Sequence, residues 1–350
     1  MGCAEIARKM ARAINMSPNA DLAAFASCTT QKAEQFAAQN GLSENVKLYG
    51  SYEELLDDPC VDAVYMPLPT SLHARWTATA ARKGKHVLLE KPTALDVKVL
   101  DEMLEACKSN GVQFMDASMW YHHPRTAKMK ELLSDSDLFG RVRAIHSSSS
   151  YHGTPEFHAN NIRVKPDLDS LGALGDAGWY CIGSILWAMD QKHPTTVTAL
   201  PTTMWNSAGV ILSCSAALHW EEDETVATFF CSFIAHETMG ITICGSNGTL
   251  FVEDLIIPYE EDCAAFSFTS GAEFVEMHVG WNVKKPREVR VDSLLPQEAE
   301  MVREFSSLVM GVRDLGRRPV DKWARTSRVT QLVLDAVRRS IDDGHKVVRM

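Results

Sequence analysis

The sequence predicts two domains, a parallel α/β domain over residues 1–118 and an α+β domain with an open, mainly antiparallel sheet over residues 119–350. Two observations support this prediction. Strand-like and helix-like segments alternate through the first third of the chain with short links, which is the pattern of right-handed βαβ units. Between residues 209 and 259 the pattern changes to strand, turn and strand, with Asn247-Gly248 at one of the turns.

Each element of the first domain is predicted from a local signal. Ser51 and Glu54 form a capping box ahead of a short helix, because their side chains can satisfy the free amides at a helix start. Gly41 and Gly84 end two of the helices, and short unbroken apolar runs indicate strands that are buried on both faces. The predicted helices cover residues 6–14, 31–40, 72–83 and 96–109, and the predicted strands cover residues 22–26, 61–66, 86–90 and 112–115.

The second domain has fewer regular signals, and residues 151–174 are predicted to be irregular. Strand residues 227–234 carry bulky apolar groups on both faces, so this sheet needs a cover on each face. We expect a second subunit to supply one cover, in a homodimer. The other predicted elements are a strand over residues 141–148 and helices over residues 125–133, 296–309 and 324–341.

Composition and charge exclude several classes of protein. With 45% hydrophobic and 23% charged residues, the chain of 350 residues has the ordinary composition of a globular protein. The formal net charge of −10 argues against nucleic acid as a partner, since phosphate binding needs a basic face. No apolar run approaches the roughly 20 residues that span a bilayer, so no membrane partner is expected. The nine cysteines form no Cys-x-x-Cys pair, which fits reduced thiols in a cytoplasmic protein.

The most informative motif is His-Val-Leu-Leu-Glu-Lys-Pro, residues 86–92, which reads as a buried strand that ends in a charged pair and a proline. Ligands of open α/β sheets bind beyond the carboxyl ends of the strands, and Lys91 would project there. Pro92 cannot continue a strand and fixes the turn, so we expect Lys91 to be held at the rim of the sheet.

The chain begins with Gly-Cys-Ala-Glu-Ile-Ala after Met1, which is similar to the Gly-x-Gly-x-x-Gly turn that opens the first helix of dinucleotide-binding domains. Ala4 and Ala7 replace two of the glycines, and an ordinary helix start in small residues is the alternative. This turn normally follows a central buried strand, yet only Met1 precedes Gly2. We therefore expect that the first strand is missing because the chain is truncated at its start.

A second motif lies at residues 171–180, where three glycines at intervals of three precede an apolar helix. Asp176 and Tyr180 are four residues apart, so their side chains share one face of that helix. A core helix whose tyrosine hydroxyl is satisfied by a neighbour is the alternative. An acid beside glycines at the start of a buried helix is costly without a partner, which favours a functional site.

Residues 171–180, Leu-Gly-Ala-Leu-Gly-Asp-Ala-Gly-Trp-Tyr, look like the Gly-x-x-Asp-x-Gly-x-His/Tyr element of the glucose-fructose oxidoreductase / inositol dehydrogenase (Gfo/Idh/MocA) family. Together with Glu90-Lys91-Pro92, this segment resembles that family, and the resemblance extends over nearly the whole chain. The form of this element that ends in tyrosine, here Tyr180, is similar to that of the dimeric dihydrodiol dehydrogenases and D-xylose dehydrogenases. The resemblance implies a Rossmann dinucleotide-binding domain, a substrate-binding and dimerisation domain, and a sugar or cyclic diol as substrate.

The resemblance also implies which residues bind the cofactor, for which NADP is preferred over NAD. Ser27-Cys28-Thr29 has no acid for the ribose hydroxyls, and the nearby Lys32 tolerates a 2′-phosphate. Family members that prefer NADP often have an arginine where Cys28 stands, which keeps NAD open. The expected cofactor-binding residues are Gly2, Cys3, Ala4, Glu5, Ile6, Ser27, Cys28, Lys32, Pro67, Leu68, Pro69, Thr70, His73, Glu90, Lys91, Pro92, Trp120 and Arg125.

The reaction implied is hydride transfer between the nicotinamide and a sugar or diol hydroxyl, with the protein supplying a base and a cation. A tyrosine with the ordinary pKa of about 10 needs a nearby ammonium to act near neutrality. We hypothesise Tyr180 as the proton-transfer group, Lys91 as its activating cation, and Asp176 as the group that orients substrate hydroxyls. Arg163 and Trp179 are candidates for the substrate pocket.

Two other functions remain open at this stage. Some relatives use a tightly bound cofactor transiently for glycoside hydrolysis or lyase chemistry, and others are non-catalytic nucleotide-sensing regulators. A regulator is expected to lose Lys91 or Tyr180, and both are present. We expect no metal site, because the adjacent His122 and His123 point apart and no further ligand lies at a suitable spacing.

Overall fold

The computed structural model describes residues 1–271, 273–276, 280–282 and 285–350. The chain forms two compact units. The first contains Met1–His122 and Leu295–Arg328, and the second contains His123–Leu294 and Val329–Met350.

The first unit alternates short parallel strands with helices, as the sequence predicts. Its strands are β1 (Ala24–Ala26), β2 (Lys47–Tyr49), β3 (Ala63–Met66), β4 (His86–Leu89) and β5 (Phe114–Asp116). Its helices before residue 122 are α1 (Glu5–Met16), α2 (Thr30–Asn40), α3 (Tyr52–Asp57), α4 (Thr70–Arg82) and α5 (Val97–Ser109). This arrangement confirms a Rossmann-type α/β domain.

The parallel sheet of this unit is divided into two pieces. β1 pairs with β2, and β4 lies between β3 and β5, with every pairing parallel. In the described part of the chain, β1 and β3 therefore each pair with a strand on one side only. All four residues of β4 are buried, which explains why this strand reads as an unbroken apolar run.

Local signals set the ends of these helices. The capping box at the start of α3 is formed, with the Ser51 side chain accepting from the Glu54 amide and the Glu54 carboxylate accepting in return. Asp96 caps α5 in a similar way, by accepting from the Val99 amide. Gly41 ends α2 in the left-handed conformation, with a φ of 59°, where glycine has no steric cost.

The second unit is built on one large sheet, in the order β16-β13-β12-β11-β6-β10-β9-β7-β17, with β8 paired to β9. All pairs are antiparallel except β6 with β10, so the sheet is mainly antiparallel as expected. The strands are β6 (Val142–His152), β7 (Thr196–Ala199), β8 (Met204–Trp205), β9 (Ile211–Trp220), β10 (Thr225–Ser232), β11 (Ile234–Gly245), β12 (Gly248–Val252), β13 (Cys263–Ser270), β14 (Glu273–Glu276), β15 (Gly280–Asn282), β16 (Arg287–Asp292) and β17 (Val348–Arg349). β14 and β15 form a separate antiparallel pair.

Five further α-helices follow in the described chain: α6 (Pro124–Leu133), α7 (Pro155–Asn160), α8 (Gly172–Ala188), α9 (Gln297–Arg313) and α10 (Lys322–Asp342). Two short 3-10 helices cover Met119–His122 and Ile162–Val164. None of the helices in the described residues combines the length and apolar character needed to cross a bilayer.

Helix α8 covers one face of the large sheet, and its glycines make close packing possible. Gly172 has a φ of 57°, and a Cβ there would collide with the Ile211 carbonyl of β9. A Cβ on Gly178 would lie 3.3 Å from Cys231 Sγ of β10. The glycines of this motif therefore set how closely α8 approaches the sheet, which fixes the position of the polar residues between them.

Candidate active site

A glycine-dependent turn precedes α1 in the first unit. Gly2 has a φ of 101°, and its amide donates to the Ala26 carbonyl at 2.8 Å. A Cβ added to Gly2 would lie 3.0 Å from Leu68 Cδ2 and 3.4 Å from the Pro67 carbonyl. A side chain at this position would therefore press on the turn that follows β3, so the sequence needs glycine here.

The amino end of α1 is suited to an anion. Ala4 precedes the helix and makes no side-chain cap, so capping side chains do not occupy the first amides of α1. Cys3 donates from Sγ to Ser27 Oγ at 3.1 Å, which brings the turn next to the end of β1. A phosphate group is stabilised by free amides and by the helix dipole at such an end. The residues present thus fit the pyrophosphate of a dinucleotide.

The segment after β1 carries a positive charge and no carboxylate. Ser27 is buried, Cys28 is exposed, and Lys32 Nζ lies 3.5 Å from Cys28 Sγ. Thr29 caps α2 by accepting from the Lys32 amide, which fixes the first turn that carries this lysine. The ammonium group thus lies beside the position at which dinucleotide-binding folds usually distinguish NAD from NADP, and its contact with a cofactor stays a prediction.

The turn after β3 is fixed by a buried histidine. His73, on the first turn of α4, has its ring nitrogens 2.8 Å from the Leu68 carbonyl and 3.1 Å from the Thr93 carbonyl. Burial lowers the pKa of His73, so the ring is neutral and donates to one of these two carbonyls. Pro69 and Thr70 open α4 within this turn. His73 therefore ties the turn after β3 to the loop after β4, and its contact with the cofactor stays a prediction.

The end of β4 is held by the carboxylate of Glu90. Tyr65 donates from its hydroxyl to Glu90 Oε1 at 2.5 Å, and the Lys91 amide donates to Glu90 Oε2 at 3.2 Å. The bond between Lys91 and Pro92 is a cis peptide. Lys91 is half-buried at the carboxyl end of the sheet, as the sequence predicts for the position where ligands bind.

Two further expected cofactor residues are almost completely buried. Trp120 is 1% exposed and stacks on Tyr121, with ring centroids 3.9 Å apart. Arg125 in the second unit is also 1% exposed, and its guanidinium donates to Asp254 Oδ1 at 2.5 Å and to the Asp254 carbonyl at 2.8 Å. Arg125 is thus a structural residue of its own unit, and the predicted contact of either residue with the cofactor stays a prediction.

A three-residue polar cluster lies at the start of α8 in the second unit. Asp176 Oδ1 lies 2.9 Å from Arg163 Nε, and Tyr151 donates from its hydroxyl to Asp176 Oδ2 at 3.0 Å. Tyr180 lies one helical turn further along α8, on the same side as Asp176. Of the expected catalytic and substrate residues, the second unit therefore brings together Asp176, Tyr180 and Arg163.

The electrostatics of this cluster fix the charge on each member. The Asp176 side chain is 8% exposed and that of Arg163 is 36% exposed, so the pair presents its cation toward solvent. The negative charge of Asp176 raises the pKa of Arg163. Burial, and then the charge of Asp176, raises the pKa of Tyr151, which therefore stays protonated and keeps donating. Asp176 thus acts as an anion that holds the Arg163 guanidinium in place.

Sequence reasoning missed Tyr151, because residues 151–174 read as irregular. The signal that could have revealed it is the run Ser-Ser-Ser-Ser directly before Tyr151, which is part of a strand. In the structure Ser147 and Ser149 are buried at alternate positions, as strand geometry requires. The strand β6 in fact continues to His152 and ends beside the cluster. The expected substrate residue Trp179 is 3% exposed, so it packs in the interior of the second unit.

Together, the parallel α/β unit, the glycine turn before α1 and the polar groups at the carboxyl ends of the strands define a dinucleotide-binding protein. The family model described as "Oxidoreductase family, NAD-binding Rossmann fold" matches residues 1–118, and that of the GFO/IDH/MocA C-terminal domain matches residues 126–251. The chain belongs to the GFO/IDH/MocA family and is an NAD(P)-dependent oxidoreductase, which confirms the expected family, fold and enzyme class.

Comparisons with individual proteins agree with this assignment. The chain is 34% identical to D-xylose 1-dehydrogenase (NADP(+)) 2 of Haloferax volcanii, over 66% of this chain and 67% of that one. It is 33% identical to dTDP-3,4-didehydro-2,6-dideoxy-alpha-D-glucose 3-reductase of Streptomyces violaceoruber, over 73% of this chain and 72% of that one. A 3-ketoreductase from Actinomadura kijaniata, solved with NADP and TDP-benzene, superposes with a TM-score of 0.78 at 25% identity, covering 97% of this chain and 95% of that one.

Proposed function

We propose that this protein is an NADP-preferring dehydrogenase or reductase that acts on a sugar or a cyclic diol. The observation that carries the proposal is the polar cluster of Asp176, Arg163 and Tyr151 beside Tyr180 on α8. Burying the Asp176 carboxylate costs free energy, and its partner Arg163 is partly exposed. This arrangement fits the recognition of substrate hydroxyl groups better than it fits a purely structural core. The relatives named for D-xylose and for a dTDP-linked keto sugar support this substrate class.

A nicotinamide cofactor, when bound in the first unit, would supply the hydride acceptor or donor for the substrate carbon. Tyr180 transfers the proton of the reacting hydroxyl, since its phenol can act in either direction. Lys91 supplies the positive charge that favours the phenolate and stabilises charge on the substrate oxygen. Asp176 orients the substrate through Arg163, whose remaining N–H groups donate to a neighbouring hydroxyl. The half-buried position of Lys91 at the carboxyl end of β4 supports its role.

The cofactor-binding role of the first unit is proposed residue by residue. The α1 amino end with Gly2 would hold the pyrophosphate, and the turn of residues 67–70 would hold the nicotinamide half. Lys32 would bind the 2′-phosphate, because its ammonium lies beside the exposed Cys28 and residues 27–29 contain no acid. We propose the domain division of the sequence, with residues 1–118 for the cofactor and residues 119–350 for the substrate.

We propose a cytoplasmic homodimer that forms through the open face of the large sheet. Val226 on β10 is 45% exposed and Phe251 on β12 is 42% exposed, although both are large apolar residues. A cavity of about 710 Å³ on the sheet is lined in part by Phe251, Ile257 and Tyr259. Apolar groups of this kind on a sheet face support a protein partner. Sedimentation analysis tests the oligomeric state. A monomer at micromolar concentration would reject the proposed homodimer.

The function is tested with added cofactor and a panel of sugars. Net reduction of NADP by an aldopyranose such as D-xylose, or by a cyclic trans-diol, is the expected result. A transient-cofactor hydrolase or lyase would consume a glycoside without net reduction of NADP. Binding of NADP with neither activity would instead support a nucleotide-sensing regulator.

A further inference from the structure

A second buried carboxylate, that of Asp169, precedes the polar cluster at the start of α8. The Asp169 amide donates to the Lys165 carbonyl at 3.0 Å, and the Asp169 carbonyl accepts from the Gly172 amide at 3.3 Å. Backbone hydrogen bonds on each side therefore fix Asp169 within the loop that leads into α8. Asp169 is only 4% exposed, so water screens its charge weakly.

The charge of Asp169 acts on two members of the polar cluster. The charge of Asp176 is the main cause of the raised pKa of Arg163, and the charge of Asp169 adds to it. Burial is the main cause of the raised pKa of Tyr151, followed by the charge of Asp176, with a smaller contribution from Asp169. A ligand that binds beside Arg163 and Tyr151 would therefore also be subject to the charge of Asp169.

Two buried carboxylates thus act on one guanidinium. Asp176 Oδ1 lies 2.9 Å from Arg163 Nε, so the cation is already paired before a ligand binds. Residues 151–176 include four Asp or Glu side chains and two Lys or Arg side chains, and the second cation, Lys165, donates from Nζ to the Ala159 carbonyl at 2.6 Å. An anionic ligand next to Arg163 would meet a cation whose charge is already offset, together with two carboxylates that repel it.

Aromatic rings lie beside these charged groups. The Tyr151 hydroxyl donates to Asp176, and the Tyr151 ring centroid lies 5.6 Å from that of Phe157 and 5.1 Å from that of Phe233. Aromatic side chains supply apolar contact area for the C–H groups of a ring, while the charged groups form strong hydrogen bonds with its hydroxyls. The chemistry of the cluster therefore suits an uncharged ring that carries several hydroxyl groups.

We propose that Asp169 is a specificity-determining residue, which together with Asp176 makes the site select neutral sugars or cyclic polyols over sugars that carry a carboxylate or phosphate. The inference rests on the proposed function, because it places the substrate at the polar cluster, and it adds the charge of that substrate. The relatives named for D-xylose and for a dTDP-linked sugar differ in this charge, so their names alone do not decide it.

The test compares three sugars that share one pyranose ring and differ only at C6. D-glucose has a hydroxymethyl group there, D-glucuronate has a carboxylate, and D-glucuronamide has an uncharged amide of nearly the same size and shape as the carboxylate. Calorimetry on the full chain with NADPH added gives the Kd of each sugar without its oxidation. We expect D-glucuronate to bind about tenfold or more weakly than D-glucuronamide, since the two differ in charge and hardly in shape.

The variant Asp169→Asn tests the residue itself. It removes one of the two carboxylates with little change in shape, so the ratio of the two Kd values should fall about fivefold or more. The ratio is taken within one variant, so a partly unfolded sample affects both sugars alike. The matched control is Asp167→Asn in the same loop, where the carboxylate is exposed and screened, and the ratio should change less than about twofold.

Three results would overturn the proposal. One is equal affinity of the unsubstituted chain for D-glucuronate and D-glucuronamide, and another is binding of none of the three sugars. The third is a ratio that Asp169→Asn leaves unchanged or changes no more than Asp167→Asn does. The proposed function fails separately, if the ratios behave as expected but no neutral sugar or diol reduces NADP.

Discussion

Arg163 Nε lies 2.9 Å from Asp176 Oδ1, so the acid that the sequence marks as functional is already paired within its own unit. The carboxylate therefore reaches a substrate mainly through the guanidinium that it holds. This pairing explains how a buried acid is tolerated beside glycines at the start of an apolar helix. It also makes Asp176 a positioning residue in the proposed reaction.

We predict that Asp176→Asn weakens both stability and substrate binding. The change leaves Arg163 without its counter-charge, and we expect a loss of about 1–3 kcal/mol, below the value for a fully buried pair because Arg163 is partly exposed. The KM for the sugar should rise more than kcat falls, which steady-state kinetics with urea unfolding would measure. The control is Glu224→Gln, in an exposed pair with Arg143, where a change below about 0.5 kcal/mol is expected. Equal losses of stability and of substrate binding in Asp176→Asn and Glu224→Gln would contradict the role of Asp176 as a positioning residue.

Tyr151→Phe separates the hydrogen bond to Asp176 from packing. The variant keeps the ring that packs on Phe157 and Phe233 and removes only the hydroxyl. Because Tyr151 stays protonated, its loss should lower kcat/KM for alcohol oxidation by about tenfold, or ~1.4 kcal/mol, without moving the acidic limb of the pH–rate profile, which reports protonation of the base. Loss of that limb in Tyr151→Phe would identify Tyr151, and not Tyr180, as the titrating base.

Cofactor preference is predicted to depend on Lys32. Lys32→Ala should raise the KM for NADP about tenfold and leave that for NAD nearly unchanged, because only NADP carries the 2′-phosphate. The ratio of kcat/KM for the two cofactors is the measurement. Lys98→Ala, an exposed lysine on α5, is the matched control and should not change the ratio. If Lys32→Ala changes kcat/KM equally for the two cofactors, Lys32 does not bind the 2′-phosphate.

The stability of the chain is predicted to fall as the pH falls from 8 to 5. Burial lowers the pKa of the Met1 amine from 8.0 to about 5, while the unfolded chain keeps the higher value. Between these values the unfolded state binds more protons, so stability rises with pH. The effect is at most about 4 kcal/mol, at 1.36 kcal/mol per pKa unit.

Acetylation of the Met1 nitrogen gives the control for this pH effect, since the acetylated amide has no proton to gain. Burial also lowers the pKa of His73, so protonation of buried histidines adds to the pH dependence, and the difference between the free and acetylated chains is the quantity to compare. Urea unfolding at pH 5, 6.5 and 8 would supply it. The same pH slope in both forms would show that the Met1 amine is not buried as described.

Much of the first unit could be predicted because its signals are local. The Ser51–Glu54 capping box and the apolar run of β4 depend on neighbouring residues only, and both are present in the structure. The strand β2 was missed because its three residues, Lys47–Tyr49, are partly exposed and show no apolar run. Short strands of this kind are defined by the neighbour they pair with, which the sequence does not reveal.

The partners of the buried charges could not be predicted, because they come from distant parts of the chain. Arg125 and Asp254 are 129 residues apart in sequence, and their pairing depends on the complete sheet of the second unit. The partnership of Tyr151 with Asp176 likewise needs the end of β6 to meet the start of α8. The sequence showed only that Asp176 needs a partner.

The central claim is that Lys91 and Tyr180 act on the same proton transfer, and a double-mutant cycle in turnover tests it most directly. Lys91→Met and Tyr180→Phe should each lower kcat by about 10²- to 10⁴-fold, with the folded state checked by Tm. If the two residues act as a unit, the double variant should be no slower than the slower single variant. A double variant slowed by the product of the two single effects would contradict the claim.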